Sequence, residues 1–420
     1  MLGILLAVAA LLALLAGIAI KSALLVQLGW ILGGVVVVAR VITWTSVRWV
    51  DLTRHTRAGR AEVGGLCEEV FRLRNRSWLP KLWLEVIDDS DLPDHQASRV
   101  VSALGPNRTR TWTARTICRR RGLYSLGPVT LFGGDPLGLF QAERHLPQTA
   151  PFTVYPRTLP LRDVDLPTGY LSGGQVVRRR AQYTTTNVRT VRPYEPGDAM
   201  NRIHWPTTAR RQEIYAREFE LDPVADFWLL LDLQRDAHTE PSEDSAPAMP
   251  QGTGDAPLPW LSSHVPDLMP NTEETAVTAA ASLARHFLDR GRSVGLIAHG
   301  QRRVVVRPDR GERQVHKLLS SLAVLRAVGR TRLDEVLSAE TNEFTRNTTL
   351  VIVSATTSLR WVEALRALRH RGVRSMVVCI EANTFGPAPS SLPVISALAA
   401  HNIPSRLIKN GDDIAAALGG

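Results

Sequence analysis

The sequence predicts a multidomain protein: a transmembrane helical hairpin, then a small antiparallel β-sandwich, then a doubly wound α/β domain. Two uncharged apolar runs at the N-terminus predict the hairpin, and short alternating strands separated by Gly and Pro predict the sandwich. Strands that alternate with helices predict the α/β domain, and 420 residues are too many for one compact domain. We assign residues 1–42 to the hairpin, 60–157 to the sandwich, 158–225 to a connecting segment and 226–420 to the α/β domain.

The hairpin is the clearest physical signal in the chain. Leu2–Ile20 carries no charge and neither do residues 22–39, so each run is long enough to cross a hydrocarbon core of about 30 Å as a helix. A cleaved signal peptide is the weaker interpretation, because no Lys or Arg precedes the first run and a second apolar run follows it. By the positive-inside rule, the basic flank after the second run predicts a two-pass plasma (inner) membrane protein with a cytoplasmic N-terminus and body. That flank contains Arg40, Arg48, Arg54, Arg57 and Arg60.

Charge and cysteine content narrow the expected partners and compartment. The formal net charge of +10 is compatible with nucleic acid, anionic lipid or an acidic protein. Acidic residues alternate with the arginines in most segments, so we expect no nucleic-acid partner, which would need basic residues clustered on one face. Cys67, Cys118 and Cys379 are far apart in the sequence and odd in number, which favours buried free thiols in a reducing compartment.

The predicted sandwich depends on strand patterns between residues 60 and 157. The stretches "EEVFRLRNRSWL" and "KLWLEVIDDS" alternate polar with apolar residues or run apolar, and Pro80 separates them. The stretch "RTRTWTARTICRRRGLYSLGPVTL" alternates Thr and Arg with apolar residues and turns at Gly122 and Gly127. Short strands with this punctuation are typical of an antiparallel sandwich.

The α/β domain begins with "FWLLLDL", an apolar run of strand length that favours a buried parallel strand. Residues 237–270 are rich in Pro, Ser, Asp and Gly, which predicts an exposed insertion. A helix capped by Asn271 or Thr272 follows, and "SVGLIAHGQRRVVVRP" predicts two antiparallel strands. The strands "TLVIVS", "RSMVVCI" and "IPSRLI" then alternate with predicted helices at residues 311–328, 359–371 and 392–401.

Two motif blocks carry a family resemblance. "RRRGLYSLGPVTLFGGDPLGLF" and "VRPYEPGDAMNRIHWPTTARRQEIYAREFE" are similar to the bacterial "domain of unknown function 58" family. The resemblance implies that the α/β domain is von Willebrand factor A-like, that the partner is a MoxR-type AAA+ ATPase, and that no enzymatic activity is established. On this basis we expect a membrane-anchored, non-catalytic adaptor whose von Willebrand A-like domain faces a protein partner.

The second block, residues 191–211, has two open interpretations. We expect residues 186–191 to be strand-like and residues 200–208 to form a short helix that is interrupted near Pro206. Balanced charges and aromatic residues favour a structural clasp, in which buried arginines pair with carboxylates and stack on Tyr194 and Trp205. The alternative is an exposed surface for a partner or ligand. The residues that we single out are Arg192, Tyr194, Gly197, Asp198, Arg202, Trp205 and Arg210.

A cation site is a minor alternative. Von Willebrand A domains often bind a divalent cation through Asp-x-Ser-x-Ser after the first strand, together with a distant Thr and a second Asp. Asp232 matches the first position, but Gln234 and Asp236 replace the serines, and no Asp follows "TLVIVS". We therefore expect no cofactor, with magnesium at Asp232 and Asp236 as the minor alternative. The alternative function is a cation-assisted hydrolase that uses Asp232 near the arginine motif.

Overall fold

The computed structural model describes residues 2–162, 164, 188–194, 203–219, 226–239, 271–346 and 348–419. They form two compact units, one built mainly from residues up to Thr158 and the other mainly from the residues after it. Most of the predicted insertion, residues 240–270, lies outside the described residues.

The first unit opens with the predicted helical hairpin, α1 (Leu2–Ile20) and α2 (Ala23–Ser46). Both helices are long and apolar enough to cross a membrane. The helices approach each other closely where small residues face the partner helix: a Cβ added at Gly29 would lie 2.5 Å from the Leu14 side chain. The hairpin extends four residues beyond the predicted end at residue 42, because the apolar run continues past Arg40 as "VITW".

The β module begins ten residues earlier than predicted, almost directly after α2. Strand β1 (Val50–Thr56) pairs antiparallel with β3 (Leu66–Asn75), so only residues 47–49 separate α2 from the sheet. Lys81, which is 2% exposed, donates from Nζ to the Thr45 carbonyl at 2.5 Å and so binds the last turn of α2. Burial lowers the pKa of this ammonium group. The helix end is therefore fixed to the β module by a side chain of the module itself.

Two antiparallel sheets of the first unit share one core. They have the orders β1-β3-β6 and β5-β4-β8-β9, and buried side chains from both sheets pack in a single cluster that includes Phe71, Leu84, Trp112 and Leu131. A third sheet, β2-β10-β7, departs from the antiparallel expectation because β2 and β10 run parallel. The other strands are β2 Arg60–Glu62, β4 Lys81–Asp88, β5 Arg99–Leu104, β6 Thr109–Ile117, β7 Gly122–Leu126, β8 Val129–Gly134, β9 Gln141–Leu146 and β10 Ala150–Tyr155.

The second unit contains a six-stranded sheet of order β15-β14-β13-β16-β17-β18. Its strands are parallel except for the edge strand β15, which pairs antiparallel with β14 as predicted. A separate hairpin joins β11 to β12. The strands are β11 Val188–Pro193, β12 Tyr215–Phe219, β13 Phe227–Leu231, β14 Val294–His299, β15 Arg303–Asp309, β16 Thr349–Ser354, β17 Arg374–Ile380 and β18 Ser405–Ile408.

Helices connect these strands, with two differences from the prediction. Helix α5 ends at Val324 instead of residue 328, because the following backbone bonds elsewhere: the Gly329 N–H donates to the Leu233 carbonyl at 2.9 Å. Helix α6 was not predicted, since it is only seven residues long. The helices are α3 Trp205–Arg211, α4 Thr272–Asp289, α5 Glu312–Val324, α6 Leu333–Ala339, α7 Arg360–His370, α8 Leu392–Ala400 and α9 Ile414–Gly419.

Candidate functional site at the carboxyl edge of the six-stranded sheet

The strand order places the candidate site between β13 and β16. The chain leaves β13 toward β14 on one side of the sheet, whereas β16 is the neighbour on the other side. In open α/β sheets, ligands bind outside the carboxyl ends of the strands where the order reverses in this way. Asp232 directly follows β13, and Ser354 is the last residue of β16.

Asp232 is buried at this point and bonded on both carboxylate oxygens. Its side chain accepts from Ser354 Oγ at 2.7 Å and from the Gln234 N–H at 3.1 Å, and the residue is 4% exposed. Burial raises the pKa of Asp232, and the hydrogen bonds from Ser354 and Gln234 act in the opposite direction. The carboxylate therefore links two strand ends.

The loop after β13 is held against the segment before α6. Gln234 forms a parallel bridge with Gly329, where an added Cβ would lie 2.1 Å from the His299 carbonyl oxygen, so only glycine fits here. Nearby, His299 Nε2 and Arg303 Nε lie 3.0 Å and 2.6 Å from the Glu340 carboxylate. Hydrogen bonding from Arg303 holds the pKa of Glu340 below its usual value. No local sequence pattern indicates this cluster, because its members are far apart along the chain.

A polar cleft of about 240 Å³ opens beside the Asp232–Ser354 pair. Within the described ranges, the Arg360 side chain forms no ion pair and the buried indole N–H of Trp361 has no acceptor. Arg332 instead pairs with Asp334. The cleft therefore offers the cationic side chain of Arg360 to an incoming acceptor, whereas the Trp361 N–H is buried. Its lining residues are Gln234, Arg332, Leu333, Asp334, Thr356, Ser358, Arg360 and Trp361.

The residues present do not fit a divalent cation well. Asp236 is exposed in the short 3₁₀ turn Arg235–Ala237, whereas Asp232 is buried with both oxygens engaged. Among the described residues, no group of three or more His, Cys, Asp or Glu side chains is placed to hold a metal ion. A hard cation needs several oxygen ligands, and here one carboxylate and one hydroxyl already bond to each other.

The second motif block forms a hairpin that carries a short helix. The Tyr194 N–H donates to the Ile214 carbonyl and the His204 N–H to the Tyr215 carbonyl, each at 2.8 Å. Helix α3 begins at Trp205, with Pro206 in its first turn. The expected interruption near Pro206 is therefore wrong, because proline is tolerated in a first turn, where the N–H has no intrahelical acceptor.

The clasp interpretation is wrong for Trp205 and Arg210. Trp205 is 65% exposed and Arg210 is exposed, so neither is buried in an ion-pair network. The arginine that packs on an aromatic ring is Arg211, whose Cζ lies 5.5 Å from the centre of the Tyr215 ring and which donates to the Tyr215 hydroxyl at 3.2 Å. Gly197, Asp198, Arg202 and the side chain of Arg192 lie outside the described residues; the Arg192 backbone is in β11.

The comparisons with known proteins concern this same segment. The sequence profile described as "Protein of unknown function DUF58" matches residues 190–244, which include α3 and Asp232. This segment of the chain is similar to the DUF58 family. The comparison with curated proteins gave no match for the chain.

The solved structures found resemble the chain only distantly. The CARDB domain of a Pyrococcus furiosus protein in complex with di-metal ions is 16% identical and has a TM-score of 0.20, with 26% of this chain and 90% of that chain covered. Proximal thread matrix protein 1 from the mussel byssus is 11% identical, with a TM-score of 0.24 and coverages of 37% and 38%. The pilus adhesin SpaC from Lactobacillus rhamnosus GG is 10% identical, with a TM-score of 0.32 and coverages of 47% and 30%. Likenesses this weak support no functional argument.

Proposed function

We propose that this chain is a membrane-anchored, non-catalytic adaptor that presents the carboxyl edge of its six-stranded sheet to a protein partner. In this proposal the second unit is a von Willebrand A-like domain, and the hairpin holds the body at the cytoplasmic side of the plasma membrane. The partner is a MoxR-type AAA+ ATPase, which the resemblance of the two motif blocks implies.

The observation that carries the proposal is the bonding of Asp232. A carboxylate that serves as a nucleophile or general base must reach substrate, yet both Asp232 oxygens accept hydrogen bonds from the protein and the side chain is buried. The alternative function, a cation-assisted hydrolase, requires this group to be available. A linking role for Asp232 leaves the surface beside it free for recognition.

The cleft beside Asp232 suits a protein side chain better than a small molecule. Its volume of about 240 Å³ is below the roughly 300–1,000 Å³ of typical small-molecule sites. Arg360 is exposed and forms no ion pair within the described residues, and an acidic side chain would bond to its guanidinium group. We therefore infer that the partner inserts an aspartate or glutamate here.

Helix α3 supplies a second contact surface. A tryptophan that is 65% exposed is unusual in a folded domain, and tryptophan is enriched among the residues that dominate protein interfaces. Exposed Arg210 lies on the same helix. These features match the docking interpretation of the second motif block.

Binding measurements with matched variants test the proposal. The full chain in nanodiscs is titrated with the purified MoxR-type ATPase, using Arg360→Ala, Trp205→Ala and, as control, Arg371→Ala in an exposed position just after the same helix as Arg360. We expect the first two variants to bind about tenfold more weakly or worse, and the control to bind normally.

Two results would overturn this function. One is equal binding by all four proteins, because the cleft and α3 would then contribute nothing to recognition. The other is hydrolytic turnover by the purified chain that disappears in Asp232→Asn, which would favour the hydrolase.

A further inference from the structure

The first motif block has no role in the proposed docking surface, and part of it lies against the hairpin. Residues 135–140, "DPLGLF", connect β8 to β9. Thr43 of α2 donates from Oγ1 to the Phe140 carbonyl at 3.4 Å, and a Cβ added at Gly3 of α1 would lie 2.6 Å from the Phe140 ring. The loop therefore packs beside both apolar helices.

The backbone N–H groups of this loop all have acceptors within the loop. Asp135 accepts from the N–H groups of Leu137 at 2.9 Å, Leu139 at 3.2 Å and Phe140 at 2.7 Å. The Gly138 N–H donates to the Asp135 carbonyl at 3.2 Å, and Pro136 has no N–H. Unsatisfied backbone donors are what exclude irregular segments from lipid, and here every donor from residue 136 to 140 has an acceptor.

The side chains of the loop present apolar surface on the hairpin side. Leu137 is 62% exposed, and together with Pro136 it forms one wall of a groove of about 490 Å³. The opposite wall belongs to α2 and consists of Ile31, Gly34, Val35, Val38, Ala39 and Ile42. Asp135 also borders the groove, but its carboxylate is turned to the loop backbone, so the surface of the groove is apolar.

We propose that loop 135–140 enters the bilayer beside α2 and that the groove binds an acyl chain of a phospholipid. The proposal depends on the membrane anchoring that is part of the proposed function. With 24 residues at about 1.5 Å each, α2 is about 36 Å long and exceeds a hydrocarbon core of about 30 Å by its last turn, where Thr43 contacts the loop. The groove extends from that level toward Ile31, into the hydrocarbon.

Charged and aromatic groups occur at the level expected for lipid headgroups. Arg40 lies with Cζ 5.6 Å from the centre of the Phe140 ring, and Arg48 with Cζ 4.2 Å from that of Trp44. Trp44 and Trp49 are about half exposed and pack edge to face at 5.8 Å. Tryptophan and arginine are enriched at this level of membrane proteins, where the arginine heads reach phosphates.

Site-specific fluorescence in the full chain tests the proposal. Leu137→Cys is labelled with a polarity-sensitive fluorophore in vesicles that contain doxyl-labelled phosphatidylcholine. Leu123→Cys, on a strand of the same unit and 61% exposed, is the matched control, and Leu12→Cys reports on α1. The native cysteines are buried, and burial raises the pKa values of Cys67, Cys118 and Cys379 to about 12, 11 and 12, which suppresses their labelling.

The three positions separate the possible outcomes. We expect blue-shifted emission and quenching by doxyl lipid at positions 137 and 12, and neither effect at position 123. If position 12 is quenched and position 137 behaves like 123, the hairpin is in the membrane and the loop proposal is overturned. If position 12 is unquenched as well, the anchoring itself is wrong. If position 137 is not quenched by doxyl lipid and two Leu137→Cys chains form a disulfide through it, a second copy of the chain occupies the groove. That result would overturn the proposal of a bound acyl chain.

Discussion

At the residue scale, the first unit is held together by a buried cluster of two acids and two bases. Arg54 Nη2 lies 2.6 Å from Glu69 Oε2, and its Nη1 lies 2.8 Å from Asp88 Oδ1. His95 Nε2 lies 3.0 Å from Glu69 and 3.2 Å from Asp88. The side chains are at most 12% exposed, so each charge depends on its partners in place of water. The cluster joins strands β1, β3 and β4 to the loop that contains His95.

This cluster predicts a defined pH dependence of stability. Burial lowers the pKa of His95, but the adjacent Asp88 and Glu69 carboxylates outweigh it and raise the pKa from 6.5 to about 9. Burial raises the pKa of Glu69, but the hydrogen bonds from Arg54 and the adjacent His95 ring outweigh it and lower the pKa from 4.5 to about 2. The contribution of His95 is thus complete below pH 6.5 and lost as the pH rises toward 9. That of Glu69 is complete above pH 4.5 and lost as the pH falls toward 2.

Denaturant unfolding of the full chain in detergent, as a function of pH, checks this expectation. His95→Gln should remove about 3 kcal/mol of unfolding free energy near pH 6 and progressively less toward pH 9. His145→Gln, whose side chain is 69% exposed, is the control and should show no such trend. A constant difference between His95→Gln and the parent from pH 6 to 9 would contradict the assignment.

The bonding of Asp232 predicts a weak response to magnesium. A ligand present at 100 times its Kd adds about 2.7 kcal/mol to stability, which a thermal melt detects easily. We expect millimolar magnesium to leave the melting temperature of the full chain unchanged, because the Asp232 oxygens are occupied by Ser354 and Gln234. A rise in melting temperature that Asp232→Ala abolishes would establish the cation site after all.

At the element scale, the second motif block illustrates how neighbouring arginines differ. Arg210 and Arg211 both end α3, but the structure gives an aromatic partner to Arg211 alone of the two. We expect Arg210→Ala to change the free energy of unfolding by less than about 0.5 kcal/mol, as exposed substitutions usually do. Arg211→Ala should cost about 0.5–1 kcal/mol, because it removes the contact with Tyr215. Denaturant midpoints of the two variants measure these costs. A cost of about 3–5 kcal/mol for Arg210→Ala would favour the clasp interpretation, in which Arg210 is buried and paired.

Elements with strong local patterns were predictable from the sequence. Strand β13 was identified because a buried parallel strand is apolar on both faces. The start of α4 was identified because asparagine is a preferred N-cap residue, and in the structure Asn271 accepts from the Glu274 N–H. Strand β1 was missed, since its residues alternate with charges that look exposed. For the same reason Arg54 was counted among the basic residues that flank the second apolar run, whereas it lies in β1 and pairs with Glu69.

The unpredicted parts of the site depend on contacts between distant segments. Ser354 bonds to Asp232 from a strand 122 residues away, and the cleft includes residues of α6, which has too few turns to show a period. The same limit applies to the charge cluster, because strand register brings Arg54 and Glu69 together. Local sequence patterns thus predict the helices and strands. The contacts of the site and of the charge cluster depend on how those elements pair in the fold.

At the scale of the whole molecule, the order of hairpin and body predicts a topology. Arg40 lies in the second half of α2 and Arg48 just after it, and both are exposed, whereas Lys21 is the one charged residue between the two helices. We expect a reporter fused after Arg60 to show cytoplasmic activity, since arginine-rich flanks stay on that side. A reporter fused within the turn at Lys21 provides the opposite control. Periplasmic activity after Arg60 would invert the proposed orientation.

The short junction between α2 and β1 limits how far the β module can move from the helical hairpin. Residues 47–49 span roughly 10 Å at full extension, and Lys81 and Arg144 shorten this reach by donating to the carbonyls of Thr45 and Val50. A long flexible linker would let the β module take many orientations relative to the helices. It would also extend under force before the force reached the helices. This junction is too short to absorb movement, so a force or torque applied to the β module passes directly to the hairpin.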